Sequence, residues 1–324
     1  MRRLALPLLA LFAAGCLDLD FDPPHLIKEA RIIGLRPEPP EAQFGEDVVF
    51  TTLIVDETGA DLSEAPDVEL RWTVCVSLAA IIRGAGLGAG SELDDDCREG
   101  GEDLIRLDTE GLPPNAARLP GAEVLAVVAQ LMMPGPGGPM PEPVPGLEPG
   151  LIDSLLVVIA EVGVPLSVRL EVYRQGEQIL VGFKRFAITM RADPTTNPPP
   201  PRFSLDGAFV SARDGDDPTL CVPEGDALTV EAGAEVALDP DDDEEAWLET
   251  YPVFNFDGVV QENEESAYYS WFVTAGSVAD DITQRPNDDT TWTAPEEPGT
   301  YPLWVVVRDG HLGMSWCRVD VVVR

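Results

Sequence analysis

Few residues in this chain belong to types that do chemistry. There are two histidines, His25 and His311, and five cysteines, Cys16, Cys75, Cys97, Cys221 and Cys317. His25 follows a Pro pair near the N-terminus, and His311 sits in the turn Asp309-Gly310-His311-Leu312-Gly313. Each reads as a solvated residue rather than a ligand or a base. The sequence has no G-x-S-x-G, so the nucleophile elbow of a hydrolase is missing. It also lacks H-E-x-x-H and paired C-x-x-C, the spacings by which zinc is gripped. Gly84-Ala85-Gly86-Leu87-Gly88-Ala89-Gly90 fails the G-x-G-x-x-G spacing and has no strand-to-helix context, so it reads as a flexible segment and not a dinucleotide loop. The expectation is a protein that is not an enzyme.

The acidic runs are the one suggestive constellation. Twenty Asp and Glu, and no Lys or Arg, fall between residues 214 and 284, most densely in Asp239-Pro240-Asp241-Asp242-Asp243-Glu244-Glu245. Calcium takes oxygen ligands of this kind, and extracellular modules hold it weakly. EF-hand spacing is not met, because Pro218 stands at the fifth position of a loop that begins at Asp214 and no Gly follows Asp243. Two readings remain: solvated acidic loops that aid solubility, the favoured one, and a calcium site with Asp239, Asp241 and Asp243 as ligands. The aromatic residues pose a similar choice. Trp271, Trp292, Trp304 and Trp316 fall close together in the C-terminal part, and Trp304 points away from Leu303 and Val305. Such residues form sandwich core or an interdomain contact more often than an exposed platform that stacks on sugar.

The whole-chain charge narrows the partners. Lys+Arg number 21 against 58 Asp+Glu, a formal net charge of −37. Nucleic acid needs a basic footprint and is excluded as a partner. The chain is 44% hydrophobic, too apolar to be disordered throughout, and 324 residues suit two domains.

The N-terminus carries an address. Met1-Arg2-Arg3 precedes an apolar run, Leu4 to Ala14, too short to span a bilayer and right for an export signal. The run ends in Ala13-Ala14-Gly15-Cys16, which resembles a bacterial lipobox, with Ala13 where that family prefers Leu. The resemblance implies that residues 1–15 are a cleaved signal peptide. Cys16 would then be lipidated and anchor the protein to the membrane, with residues 16–28 as a tether. Leu17 after the cysteine is similar to the outer-membrane sorting signal of Gram-negative bacteria. Setting Cys16 aside leaves Cys75, Cys97, Cys221 and Cys317, an even number that reads as disulfides in an exported chain. Of three connectivities, Cys75–Cys97 with Cys221–Cys317 is favoured, because each pair then closes within one proposed domain.

Behind these residues lies a strand-rich pattern. Residues 194–201 include four consecutive prolines and read as a semi-rigid linker between domains 29–193 and 202–324. Apolar residues fall on every second position in Val68–Val74, Leu166–Tyr173, Arg185–Arg191, Tyr301–Val307 and Cys317–Val323, as in half-buried antiparallel strands. Further strands are expected over Ala30–Leu35, Val48–Val55, Glu235–Leu238 and Tyr268–Thr274. Hairpin turns are expected at Gln175-Gly176-Glu177 and Asp309–Gly313. Residues 77–100 and 134–150 read as long loops. Between those loops, Val124, Leu125, Val128, Leu131 and Met132 have helical spacing, and Pro134 stops it, which predicts a short helix over 123–133.

In the first domain, RIIGLRPEPPEAQFGEDVVFTTLIVD and LRWTVC resemble strands A, B and C of a bacterial immunoglobulin-like domain. In the second, YYSWFVTAGSV and TWTAPEEPGTYPLWVVVRDG are similar to the bacterial Ig-like and PKD-like sandwich group. Thr274-Ala275-Gly276 replaces the usual Gly-Asp-Gly, and the cysteines depart from the antibody positions. The implied fold is all-β: two Ig-like β-sandwich domains in tandem, with a short helix in a loop of the first. The implied function is that of a lipid-anchored surface protein serving as a non-catalytic binding, adhesion or scaffold module. The alternative is a carbohydrate-binding or substrate-capture accessory lipoprotein.

Overall fold

The computed structural model describes residues 23–75, 104–123, 125, 161–212, 220–241, 243–254 and 259–324. The signal peptide, Cys16, the first part of the tether, the 77–100 and 134–150 loops, Cys97 and Asp242 lie outside the described residues. Of the helix predicted over 123–133, only its start is described: residues 121–123 and 125 are helical.

The structure is all-β, with two immunoglobulin-like sandwiches in tandem. The first comprises β1 (Arg31–Glu38), β2 (Glu41–Gln43), β3 (Val48–Val55), β4 (Val68–Cys75), β5 (Leu104–Arg106), β6 (Ala116–Leu119), β7 (Val164–Arg174) and β8 (Glu177–Thr189). One sheet has the order β1-β3-β6 and the other β2-β8-β7-β4-β5. The predicted alternation on β7 is realised: Leu166, Val168, Leu170 and Val172 point inward with Phe50, Trp72 and Phe186 to form the core. Arg174-Gln175-Gly176-Glu177 makes the two-residue hairpin turn. Both central residues take positive φ (53° and 86°), and glycine takes the second at no steric cost. The predicted alternation fails at its end. The period over Arg185–Arg191 puts Met190 on the same face as Phe186 and Ile188, but β8 stops at Thr189 and Met190 is 66% exposed.

The second sandwich comprises β9 (Phe203–Leu205), β10 (Ala208–Ala212), β11 (Cys221–Pro223), β12 (Thr229–Val230), β13 (Glu235–Pro240), β16 (Tyr268–Val273), β17 (Ser277–Val278), β18 (Ile282–Thr283), β19 (Thr290–Thr293), β20 (Gly299–Arg308) and β21 (Met314–Val323). The hairpin β14 (Thr250–Phe254) and β15 (Val260–Glu264) stands apart from its two sheets. The sheet orders are β11-β10-β9-β13-β19-β17 and β12-β21-β20-β16-β18. Trp271 fills the core, and its Nε1 donates to Thr283 Oγ1 at 3.1 Å.

The sandwiches meet sheet against sheet. Strand β20 is buried on both faces. Leu303, Val305 and Val307 face the second core, while Trp304 and Val306 face the first sandwich. A β-bulge at Ile33 prepares the opposing surface. Strict alternation would put Ile33 and Leu35 on one face; the extra residue sends Leu35 into the first core and Ile33 into the seam with Val55 and Trp304. Two glycines admit the indoles. A Cβ on Gly34 would lie 2.7 Å from Cε3 of Trp316, and one on Gly59 would run into the Pro302 ring beside Trp304.

The Pro-rich segment 194–201 was expected to act as a spacer. It is instead a strap laid into the junction. Thr195 N–H donates to Glu41 Oε2 at 2.7 Å, and Thr196 N–H to Glu249 Oε2 at 2.6 Å. Asn197 donates to Pro37 O and accepts from Met314 N–H, and Ser315 Oγ donates to Pro198 O. Proline has no N–H of its own, so the side chains around it carry the fastening. The end of the expected tether is docked as well. Ile27 N–H donates to Val273 O and Val273 N–H to His25 O, so residues 25–27 run along β16 of the second sandwich.

Candidate functional site

The residues with chemical potential are distributed as follows. Cys221 and Cys317 form the expected disulfide, Cα to Cα 5.4 Å, which ties β11 to β21. Cys75 is buried at the end of β4 and is disulfide-bonded; Cys97, its expected partner, lies outside the described residues. Neither histidine is a solvated residue. His25 is buried, and its Nε2 accepts from Val278 N–H at 3.2 Å. His311 stacks on Tyr251 with ring centroids 3.7 Å apart, and burial lowers its pKa to about 4. Both were misjudged because packing partners distant in sequence cover them.

The three aspartates do not converge. Asp241 is ion-paired to Arg202. Asp239 is raised above the ordinary carboxylate range by burial and by the neighbouring Asp288 and Asp289. Asp243 precedes the 3-10 turn Glu244–Ala246 and makes no side-chain cap. Among the described residues, no group of three or more His, Cys, Asp or Glu is placed to hold a metal ion. Trp304 is fully buried in the seam, so it offers no exposed platform for a sugar.

Two features were not foreseen. The first is a set of carboxylates around the strap. Glu41 accepts from Arg191 as well as from Thr195. Glu265 accepts from Glu249 N–H at 3.0 Å through Oε2, and its Oε1 is buried without a hydrogen-bond partner among the described residues. Burial, then the charges of Asp309, Glu249 and Glu41, push Glu265 up to about 8. Burial likewise lifts Asp309 to about 6, although His311 N–H and Gly313 N–H donate to it and Lys184 lies near. Lys184 is itself lowered to about 8 by burial. These groups come from residues far apart in sequence, and no local motif announces them.

The second is a cleft of about 380 Å³ at the edge of the seam, with Trp304 and Trp316 at its inner side and Asp61, Glu64 and Arg318 among its polar lining. Asp61 caps the 3-10 turn Leu62–Glu64 by accepting from Ser63 N–H at 2.9 Å. Burial raises its carboxyl, an effect opposed by that hydrogen bond and by Arg318 across the seam. The order Asp61-Leu62-Ser63-Glu64 has capping-box spacing, a local signal that could have placed this turn. Arg318 stands over the Trp304 ring at 5.8 Å. Buried Trp304 Nε1 has no hydrogen-bond partner among the described residues.

No protein family matches the chain, and no curated protein matches it. Among solved structures it is similar to the FN1–FN3 domains of chicken CNTN1, at 8% identity and TM-score 0.21, covering 92% of this chain and 68% of that one. It is also similar to the Bacteroides ovatus mixed-linkage glucan utilization protein SGBP-B, at 7% identity and TM-score 0.21, covering 92% and 48%. A third is a nucleoside hydrolase-related hypothetical protein from Saccharophagus degradans, at 16% identity and TM-score 0.22, covering 40% of this chain and 26% of that one. The chain thus spans under half the length of the last two. At such TM-scores these likenesses carry no functional argument.

Proposed function

We propose that the chain is a lipid-anchored cell-envelope protein whose two sandwiches, the second of PKD-like type, act together as a non-catalytic binding, adhesion or scaffold module. The observation that carries this reading is the seam. A sheet-to-sheet apolar contact, two indoles seated over glycines and a hydrogen-bonded strap turn two domains into one body. Linked domains usually move relative to one another unless their interface is large and apolar. Holding them fixed serves presentation of a surface. The non-catalytic part of the reading is supported by the engagement of both histidines in packing and backbone contacts. The anchor rests on Cys16 and its lipobox-like context, and outer-membrane placement on Leu17.

Cys16→Ser tests the anchor. The substituted protein is expected to leave the membrane fraction for the soluble one; unchanged fractionation removes the lipoprotein reading. A second reading, carbohydrate binding, has one observation in its favour, the cleft at the edge of the seam with Asp61, Glu64 and Arg318 in its polar lining.

A further inference from the structure

The strap is fastened where carboxylates from both sandwiches converge. Thr195 N–H donates to Glu41 of the first sandwich. Thr196 donates to Glu249 Oε2 of the second through its N–H, at 2.6 Å, and through its hydroxyl, at 3.3 Å. Glu265 belongs to the same cluster: Glu249 N–H donates to its Oε2, and the charges of Asp309, Glu249 and Glu41 act on it. Glu265 is 6% exposed, and its Oε1 has no hydrogen-bond partner among the described residues. The buried hydroxyl of Thr195 has none there either. The cations close by are engaged with other groups. Arg191 pairs with Glu41, and Lys184 lies by Asp309 with Arg185 and Arg308 beside it. Burial, with Arg185, Arg191 and Lys184 near, holds His311 neutral. Burial and like charges raise Glu265 to about 8, so at neutral pH it carries a proton. Once ionised, it needs water at Oε1 and repels Glu249 and Glu41. Those are the two carboxylates that hold Thr196 and Thr195.

We propose that Glu265 is a proton-operated catch for the strap: protonated, it lets Thr195 and Thr196 stay fastened across the junction, and ionised, it drives them off Glu41 and Glu249. The far end of the strap is held by Asn197 on Pro37 O and Met314 N–H, and by Ser315 on Pro198 O. Those contacts involve neither Glu41 nor Glu249, so that end stays in place. The device changes how tightly the junction is clamped and leaves the fold of each sandwich as it is. The closed strap holds a proton that the open one gives up. Opening is therefore favoured as pH rises from the ordinary 4.5 to about 8, by at most about tenfold per unit, and levels off above. Asp309 adds to the slope only up to about 6, His311 opposes it only up to 6.5, and Lys184 changes charge only above about 8. Between 6.5 and 8 the response reports Glu265.

The test is hydrogen–deuterium exchange of the full-length protein, read by mass spectrometry on the strap peptide at half-unit steps from about pH 6.5 to 8.5. Each rate is divided by that of the same peptide, unfolded, at the same pH. Prolines carry no N–H, so the peptide reports Thr195 and Thr196 with few other amides. Strap protection should fall by up to about tenfold per unit as far as pH 8 and then level, while the amides of β20 keep theirs. Glu265→Gln cannot ionise, and its strap should stay protected at every pH. Asp309→Asn removes one repelling charge, so protection should level at a lower pH. If the Gln variant fails to fold, the Asp309 variant decides. Strap protection that ignores pH, or that falls equally in Glu265→Gln, overturns the proposal. So does loss of protection in the β14–β15 hairpin with the strap unchanged, or a parallel loss in β20, which is global unfolding.

Discussion

Glu265 carries a proton at neutral pH that an exposed glutamate would have released. Its carboxyl is buried, one oxygen lacks a partner among the described residues, and the carboxylates of Asp309, Glu249 and Glu41 lie close. Its native pKa, about 8, stands above the ordinary 4.5, so between these values the folded protein holds a proton that the unfolded chain has lost. Stability therefore falls as pH rises across that window. Asp309 acts in the same sense only up to about 6, and His311 acts in the opposite sense between about 4 and 6.5. Lys184 contributes a change only above about 8. Between pH 6.5 and 8 the slope belongs to Glu265, and for a single proton it reaches at most about 1.4 kcal/mol per pH unit. Glu265→Gln should flatten it and raise the melting temperature at pH 7.5. Thermal unfolding at half-unit pH steps checks this, and an unchanged slope in the variant would refute the assignment.

Strands β1, β20 and β21 together decide how the sandwiches meet. The bulge turns Ile33 outward, Gly34 makes room for Trp316, and Gly59, at φ +81°, lets its turn close over Trp304. Gly34→Ala should cost about 1–3 kcal/mol through overpacking against the indole. Trp316→Ala should cost about 3–5 kcal/mol through lost burial and a cavity. In the double variant the added methyl meets empty space, so the two losses should fall short of their sum. Urea unfolding of the four proteins completes the cycle, and strict additivity would mean that Gly34 is not the socket for Trp316. The strap belongs to the same assembly. Its Thr and Asn residues bind both sandwiches, which is why a run of prolines here does not behave as a spacer.

The molecule as a whole is a strongly acidic body made of two β-sandwiches that share an apolar seam. The chain crosses that seam twice. Residues 25–27 lie along the second sandwich before the first begins, and the strap returns the chain across the junction. The units are thus interlocked by path as well as by packing. A single cooperative transition in scanning calorimetry is expected, with the calorimetric and van't Hoff enthalpies equal. Two separate transitions would show that the seam is weaker than its burial implies. For function, the consequence is that a ligand or partner meets one surface rather than two hinged modules. The cleft at the seam exists only while that surface is intact.

Much of this was legible in the amino-acid order. Period-two alternation specified the strands on β7, β20 and β21, Gln175-Gly176 specified its turn, and cysteine parity implied disulfides, with the proposed domain boundary favouring the Cys221–Cys317 bridge. The reason is that these features depend on neighbours within a few residues, or on counting. Tertiary structure alone decided what covers each face. From Pro302 to Val307 every residue of β20 is buried, and no local pattern distinguishes the face that meets its own core from the face that meets the other sandwich. It also decided that His25 is buried and that His311 stacks on Tyr251, that the prolines form a strap, and that Glu265 keeps its proton. Desolvation and the proximity of like charges are through-space effects. Here they arise among residues 41, 249, 265 and 309, which the sequence separates and the seam brings together.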